Sequence, residues 1–420
     1  MLRPVTEKTL NVRHIEQPTG KSWITLGLAA AVTLPGLAVR AGLIHLPVEV
    51  ETLLFGVAIL GAAFLLSWAA EVAQLDVSQT LAIAVLAIIA VLPEYAVDLF
   101  LAFRAGQGDV QKTHLAVANM TGANRLLIGI GWAAVVLVFW AKTGRREVRL
   151  RAEQSIDVGY LLIATIWAFT IPIRGQLSLL DLAILGGLFV AYIIRAAREE
   201  VEEPELVGAA ALLGSLPTAA RRTATIGLFL FSAAVILGVA EPFADGLIEI
   251  GERFNISEFL LIQWVAPLAS EAPEMLIAIL FTLRLKAQAG LGTLISSKVN
   301  QWTLLVGTLP LVFIIGGLGL GEGVRPLPMD ERQVEEVFLT AAQSLFAVAV
   351  IANLSISRIE AVALLVLFLG QLGFEDPAVR YGFAITYLVL TLALLVFRAD
   401  ARRSLWDSLV NVVRPGRARV

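Results

Sequence analysis

The sequence has 420 residues, of which 58% are hydrophobic and 16% charged, a balance that fits a polytopic membrane protein and excludes an ordinary soluble domain. A net charge of −3 without runs of basic and aromatic residues argues against nucleic-acid binding. The absence of cysteine excludes disulfides, thiol catalysis and iron–sulfur clusters, and three histidines are too few to favour a histidine metal centre.

Apolar stretches that are long enough to cross a bilayer recur along the chain. A transmembrane helix needs roughly 20 mostly apolar residues, and this length predicts about twelve spans. Residues 1–21 are polar and no cleavage site follows them, so we expect the chain to begin at Met1 without a removable signal peptide. Pro35 and Gly36 interrupt the first span. The predicted spans cover residues 22–39, 52–73, 80–105, 114–141, 158–173, 178–196, 223–250, 258–285, 290–320, 337–354, 359–372 and 381–397.

The distribution of lysine and arginine predicts the orientation of these spans, because basic residues concentrate in cytoplasmic loops. With the N-terminus inside, 22 of the 32 basic residues fall in cytoplasmic segments and 8 in the opposite loops. The other two, Arg125 and Lys298, fall within the membrane. We therefore expect an integral protein of the plasma (inner) membrane with both termini in the cytoplasm.

Two segments of the chain repeat the same pattern. Residues 93–104 (PEYAVDLFLAFR) and 273–284 (PEMLIAILFTLR) share Pro, Glu and Arg at an offset of 180 residues. Residues 124–131 (NRLLIGIG) and 300–307 (NQWTLLVG) share Asn and Gly at the same spacing. The second copy begins five predicted spans after the first. Because five is odd, the second half is predicted to be inverted in the membrane, as in many secondary transporters.

The spans and the repeat together predict an all-α polytopic membrane protein. About twelve transmembrane helices form two inverted five-helix repeats, with extra helices at the N- and C-terminal ends. The acidic segment from Glu199 to Glu205 lies in the linker between the halves. The predicted units are a tail and extra helix (1–48), a first half (49–197), a cytoplasmic linker (198–222), a second half (223–375), and an extra helix with a basic tail (376–420).

Each repeat places a carboxylate directly after a proline. A proline inside a spanning helix removes a backbone donor, and the resulting break leaves carbonyl groups free to coordinate a cation. The carboxylates are Glu94 and Glu274, and an ionisable group in mid-membrane costs at least ~2.5 kcal/mol, which marks it as functional. Asp98 and Glu271 are predicted to share a helical face with them, at spacings of four and three residues.

Neutral oxygen donors accompany these acids in the sequence. Carboxylate, amide, hydroxyl and carbonyl oxygens are the ligands that hard cations such as sodium and calcium prefer. The same carboxylates can bind protons, because removal from water disfavours their charged form. Transported cations are therefore the expected ligands, without any other cofactor. The candidate neutral ligands are Asn119, Asn124, Asn300, Gln301, Ser270 and Ser297.

These two segments resemble the alpha repeats of the calcium:cation antiporter superfamily, which includes the sodium/calcium exchangers. Residues 92–94 and 272–274 match the Pro-Glu core of the family motif Gly-Thr-Ser-x-Pro-Glu, and residues 118–124 resemble the Gly-Asn-x-x-Gly-Ser-Asn stretch that follows. The resemblance implies secondary active antiport by alternating access, with Glu94 and Glu274 as the central ion ligands.

The sequence departs from the family pattern at positions close to these ligands. Ala90 and Val91 stand where the family has Thr and Ser, and Arg125 and Lys298 fall among the presumed ligands. A fixed positive charge can replace a bound cation, or it can form a structural ion pair between helices. Sodium/calcium exchange is the leading expectation, and sodium/proton or calcium/proton exchange on the same fold is the alternative.

An intramembrane enzyme and a channel are two alternatives to an antiporter. An intramembrane protease needs a histidine pair or a Ser-His arrangement, and no histidine falls within a repeat motif. We therefore expect no enzymatic activity. A channel on the same fold cannot be separated from an exchanger by sequence. The expected partners are the lipid bilayer and small cations.

Overall fold

The computed structural model describes residues 20–76, 92–197, 206–374 and 376–413. Throughout these ranges the chain is helical apart from short connections and two small β-ribbons. The helices, in chain order, are α1 (Gly20–Arg40), α2 (Val48–Ala73), α3 (Leu92–Gly106), α4 (Val110–Thr143), α5 (Ala152–Arg174), α6 (Leu179–Ala196), α7 (Gly208–Gly214), α8 (Thr218–Phe254), α9 (Glu258–Leu283), α10 (Ala287–Leu318), α11 (Glu331–Ile351), α12 (Arg358–Gln371), α13 (Pro377–Phe397) and α14 (Ala399–Val413).

Within the described residues, ten helices are long and apolar enough to cross a membrane. They correspond to ten of the twelve predicted spans, so the all-helical membrane class is confirmed. The predicted span 80–105 is described only from Leu92 onwards. The predicted span 359–372 forms α12, whose 14 residues extend about 21 Å and fall short of a hydrocarbon core of roughly 30 Å. The structure therefore does not yield a count of twelve spans.

Three segments differ from the sequence-based expectation. The first helix is interrupted at Val32, and a second segment, Thr33–Arg40, begins there. Pro35 therefore lies in the first turn of that segment, where a helix tolerates proline. The predicted linker 198–222 contains α7 and the start of α8, while its acidic segment lies outside the described residues. The predicted basic tail forms α14 as far as Val413.

Glycines allow the helices that carry the repeats to pack backbone against backbone. A Cβ added to Gly106 on α3 would lie 2.0 Å from the carbonyl oxygen of Phe313 on α10. In the same crossing, a Cβ added to Gly316 would lie 2.1 Å from the carbonyl oxygen of Phe103. Small residues at helix crossings supply van der Waals contact in membranes, where lipid removes the hydrophobic drive between helices.

The crossing of α4 and α9 depends on Gly122 in the same way. A Cβ at this position would lie only 1.7 Å from the carbonyl oxygen of Gln263. We expect Gly122→Ala to lower stability by about 1–3 kcal/mol, because one of the two helices must move. Thermal unfolding of the purified protein measures this loss. Gly238→Ala is the control, since a Cβ on Gly238 meets nothing within 4 Å, and equal melting temperatures would contradict the prediction.

Two antiparallel ribbons join loops from the two halves of the chain. Strand β1 (Glu147–Arg149) pairs with β4 (Ser355–Ser357), and β2 (Gln176–Leu177) pairs with β3 (Leu327–Pro328). β1 and β3 follow α4 and α10, whereas β2 and β4 follow α5 and α11. Each ribbon therefore connects loops at non-equivalent positions of the two halves.

Candidate functional site

The first predicted ligand, Glu94, lies in the first turn of α3 and is completely buried. Neither of its carboxylate oxygens has a complete hydrogen bond among the described residues, although its side chain lies within hydrogen-bonding reach of Glu271. The carboxylates of Glu271, Glu274 and Asp98 are close enough to interact with it electrostatically, Glu271 most strongly. The structure thus brings the acids of both repeats into one buried cluster. The predicted break before Pro93 falls partly outside the described residues.

Helix α9 carries the second pair of acids, Glu271 and Glu274, both buried. The predicted break at Pro273 does not end the helix, which runs without interruption from Glu258 to Leu283. Proline has no N–H, so Pro273 still leaves the carbonyl of Ala269 without its helical hydrogen bond. The break that sequence predicted is therefore a missing hydrogen bond inside a continuous helix.

The oxygens of these two acids are only partly satisfied. Gln301 on α10 donates a hydrogen bond from Nε2 to Oε1 of Glu271, and the hydroxyl of Ser297 lies beside Glu274. In the described part of the chain, Oε2 of Glu271 and Oε2 of Glu274 have no complete hydrogen bond. Buried carboxylate oxygens without donors need a positive charge or a proton nearby.

Asp98 lies one turn beyond Glu94 and is anchored to α4. The Asn119 side chain donates from Nδ2 to Oδ2 of Asp98 over 3.0 Å, and the backbone N–H of Met120 is a second donor. Oδ1 of Asp98 and Oδ1 of Asn119 remain without partners among the described atoms. One acid and one amide oxygen therefore stay available at the junction of α3 and α4.

Lys298 is the basic side chain that faces the acid cluster. Its Nζ donates to Oδ1 of Asn124 over 2.6 Å and lies 4.3 Å from the ring centroid of Trp302. Glu271 is the acid with which it interacts electrostatically. Oδ1 of Asn124, predicted as a cation ligand, therefore already accepts a hydrogen bond from the Lys298 side chain.

Arg125 occupies a different environment from Lys298, although both residues fall among the presumed ligands of the repeats. Its Nη2 lies 2.5 Å from Oε2 of Glu336 on α11, and its guanidinium stacks 4.8 Å from the Trp264 ring. Glu336 also pairs with Arg332 at 3.0 Å. The charge of Arg125 is balanced by an acid on α11, outside the two repeated sequence segments, which the repeat pattern did not indicate.

The remaining predicted neutral ligands make contacts within the protein. The hydroxyl of Ser270 donates to the carbonyls of Ala266 and Pro267 on its own helix, and Oδ1 of Asn300 accepts from the Tyr95 hydroxyl over 3.1 Å. Tyr95 directly follows Glu94, and its role was not predicted. For the described residues, no group of three or more His, Asp or Glu side chains is arranged to hold a metal ion.

A second buried polar cluster, which sequence reasoning missed, lies next to this site. Asp157 on α5 accepts a hydrogen bond from Tyr192 over 2.6 Å and another from Ser296 over 3.3 Å. Ser296 directly precedes Ser297 on α10. A carboxylate directly before the fifth predicted span (158–173) was a detectable signal, but it lies outside that span and outside the repeated segments.

Comparison with known proteins adds independent information. The family model described as sodium/calcium exchanger protein matches residues 51–197 and 224–375. No curated protein sequence matches the chain. Among solved structures, the H+/Ca2+ exchanger CAX shares 44% sequence identity over 94% of this chain and 98% of its own, with a TM-score of 0.89.

Two more distant structures show the same fold. Native YfkE is 19% identical, with 87% of this chain and all of that chain covered and a TM-score of 0.59. The sodium-calcium exchanger NCX_Mj is 17% identical, with 79% of this chain and all of that chain covered and a TM-score of 0.52. At these identities the similarity concerns the fold alone.

Proposed function

The chain belongs to the sodium/calcium exchanger protein family, and from that premise we propose that it exchanges calcium for protons across a membrane. The observation that carries the proposal is the buried cluster of Glu94, Glu271, Glu274 and Asp98, which combines acids from both repeats and leaves carboxylate oxygens without hydrogen bonds. Such a cluster is neutralised by a bound cation or by protons, and these two states are the two halves of an exchange cycle.

Calcium is the proposed cargo because of the number and charge of the available ligands. The cluster contains four carboxylates, of which Glu271 interacts with Lys298, whereas Glu336 balances Arg125 separately. Calcium takes six to eight oxygen ligands and tolerates irregular geometry, and a high negative charge raises its affinity. Amide oxygens of Asn119 and Gln301, which lack partners among the described residues, add to the ligand set.

Protons are the proposed counter-ion for two reasons. The H+/Ca2+ exchanger CAX is 44% identical over 94% of this chain. In addition, two of the predicted neutral ligands are already engaged, because the Ser270 hydroxyl donates within its own helix and Asn124 accepts from Lys298. Sodium remains the second candidate, since the family model describes sodium/calcium exchangers. Sodium/proton exchange is the third.

We further propose the inverted layout of the two halves. The ribbon pairs support it: exchange of β1 with β3 and of β2 with β4 converts one ribbon into the other, as a two-fold axis in the membrane plane requires. The π-helical segments Leu127–Trp132 and Gln301–Leu305 overlap the aligned repeat sequences 124–131 and 300–307, which also supports it. The proposal retains cytoplasmic termini, and it retains twelve spans with α12 as one that is shorter than the hydrocarbon core.

Flux measurements in proteoliposomes test the choice of ions. We expect an outward proton gradient to drive calcium uptake, and we expect an equal sodium gradient at constant pH to drive none. Calcium uptake driven by the sodium gradient alone would show that sodium, and not the proton, is the counter-ion. Coupled sodium and proton flux without calcium uptake would favour the third candidate. Calcium entry that needs neither gradient would indicate a channel and overturn exchange.

An ion pair at the end of α2 provides a control for the pH dependence. Hydrogen bonds from Arg221, at 2.7 and 2.8 Å, and from Arg222, at 3.1 Å, lower the pKa of Asp76 to about 2. Because the folded-state pKa is lowered, this pair stabilises the fold above the usual value of 3.8 and loses that effect as the pH falls towards 2. We therefore expect Asp76→Asn to leave the pH profile of transport between about pH 5 and 8 unchanged. A profile shifted within that range would contradict this assignment.

A further inference from the structure

Helix α14 lies directly after the last long apolar helix and packs against the bundle. Helix α13 ends at Phe397, and α14 begins two residues later at Ala399. Its contact with α5 is close, because a Cβ added to Gly159 would lie 2.8 Å from the carbonyl oxygen of Ser408. A helix that follows a span so closely and is docked by its backbone is held at the boundary between membrane and water.

An apolar crevice of about 250 Å³ separates part of α14 from its neighbours. One stripe of α14, at spacings of three and four residues, forms one wall, and helices α5, α11 and α13 form the other. Of all the side chains that line it, only one is charged and one carries a hydroxyl group. The lining residues are Leu162, Leu345, Val348, Ala349, Thr391, Leu395, Arg402, Leu405, Trp406 and Leu409.

Positive charge lies at the N-terminal end of this stripe. Arg402 donates from Nη1 to the carbonyls of Leu395 and Val396, at 2.6 and 2.8 Å, so its guanidinium is fixed at the end of α13. Arg403 beside it is exposed. Arg398 is already paired with Glu360, so it does not belong to this group. The stretch 398–420 contains six arginines and two aspartates.

We propose that the crevice holds one acyl chain of an anionic phospholipid, with its headgroup phosphate against Arg402 and Arg403. An acyl chain fits because the walls are apolar and the crevice lies at the level where chains and headgroups meet. The acyl chain alone gives little selectivity between lipids, since the bilayer and the crevice are similarly apolar. Selection therefore comes from the phosphate, which arginine binds in a bidentate manner, and from the attraction of basic segments to anionic lipid.

Trp406 supports the same location. Its side chain is 67% exposed although it lines the crevice, and tryptophan concentrates at the level of lipid headgroups. This position places the indole between the apolar crevice and the polar surface. The inference concerns a lipid site apart from the acid cluster, so it does not depend on which ions are exchanged.

Native mass spectrometry of the full-length protein tests the lipid site. The protein is mixed with equal amounts of phosphatidylglycerol and phosphatidylcholine that carry the same acyl chains. We expect about one retained phosphatidylglycerol per protein, preferred about tenfold or more over phosphatidylcholine. The double variant Arg402→Gln/Arg403→Gln is expected to lose this preference. Equal retention of both lipids, or no retained lipid, would overturn the proposal.

Two further variants separate the crevice from general surface charge. Arg145→Gln/Arg146→Gln removes two exposed arginines elsewhere and is expected to keep the lipid. Ala349→Leu narrows the crevice without changing charge and is expected to reduce retained phosphatidylglycerol about tenfold while ion exchange continues. Loss of lipid in the Arg145/Arg146 variant, or full retention in Ala349→Leu, would show that the crevice is not the site.

Discussion

Glu274→Gln is expected to abolish calcium exchange, with initial uptake rates in proteoliposomes falling on the order of 100-fold or more. The substitution keeps the shape of the side chain and removes one negative charge from the buried cluster that includes Glu94 and Glu271. Calcium affinity depends on the number of charged ligands over several orders of magnitude. A glutamine cannot take up and release the proton that the return half of the cycle requires.

A control variant on the same helix distinguishes a loss of transport from a loss of folding. Glu258→Gln is the control, because Glu258 lies at the start of the same helix and accepts a hydrogen bond from Gln111 outside the acid cluster. This variant should transport calcium normally. Both variants should purify as monodisperse protein, with melting temperatures close to that of the unsubstituted protein. Calcium-driven exchange that persists in Glu274→Gln would remove this residue from the ion pathway.

The family and membrane class could be predicted from the sequence because both depend on local patterns. Long apolar stretches identify spans by their length. The Pro-Glu pairs identify Glu94 and Glu274 because these acids fall inside predicted spans. These features need no knowledge of how distant helices pack. The comparisons confirmed the family, while the roles of the individual residues remain proposals.

Other features could not be predicted, because they depend on which helices become neighbours. Arg125 and Lys298 are both basic residues among the presumed ligands, yet Arg125 meets Glu336 on α11 and Lys298 meets Asn124. A repeat pattern compares two segments with each other and contains no information about α11. The incomplete break at Pro273 was also hidden, because proline predicts a lost hydrogen bond but not whether the helix continues.

Lys298→Met is expected to change which cations the protein accepts. The methionine side chain has a similar length and no charge, so the acid cluster would gain one net negative charge. We expect calcium to be bound about tenfold more tightly, because an unscreened unit charge at these distances contributes at least ~1 kcal/mol. We also expect sodium to inhibit calcium uptake, since a site vacated by the ammonium group can hold a small cation. Uptake measured against calcium concentration, with and without sodium, tests both effects.

Lys298→Arg and Arg125→Met complete the comparison. Lys298→Arg keeps the positive charge. Its calcium affinity should therefore stay closer to that of the unsubstituted protein than the affinity of Lys298→Met does, and sodium should inhibit its calcium uptake less. Arg125→Met removes the principal partner of Glu336 but leaves Arg332, so we expect a stability loss of up to about 3 kcal/mol with an unchanged ion profile. If Lys298→Met lowered only the melting temperature, its ammonium group would be a packing element like the guanidinium of Arg125. An altered ion profile in Lys298→Met alone would show that only one of the two basic groups within the membrane acts on the transported ions.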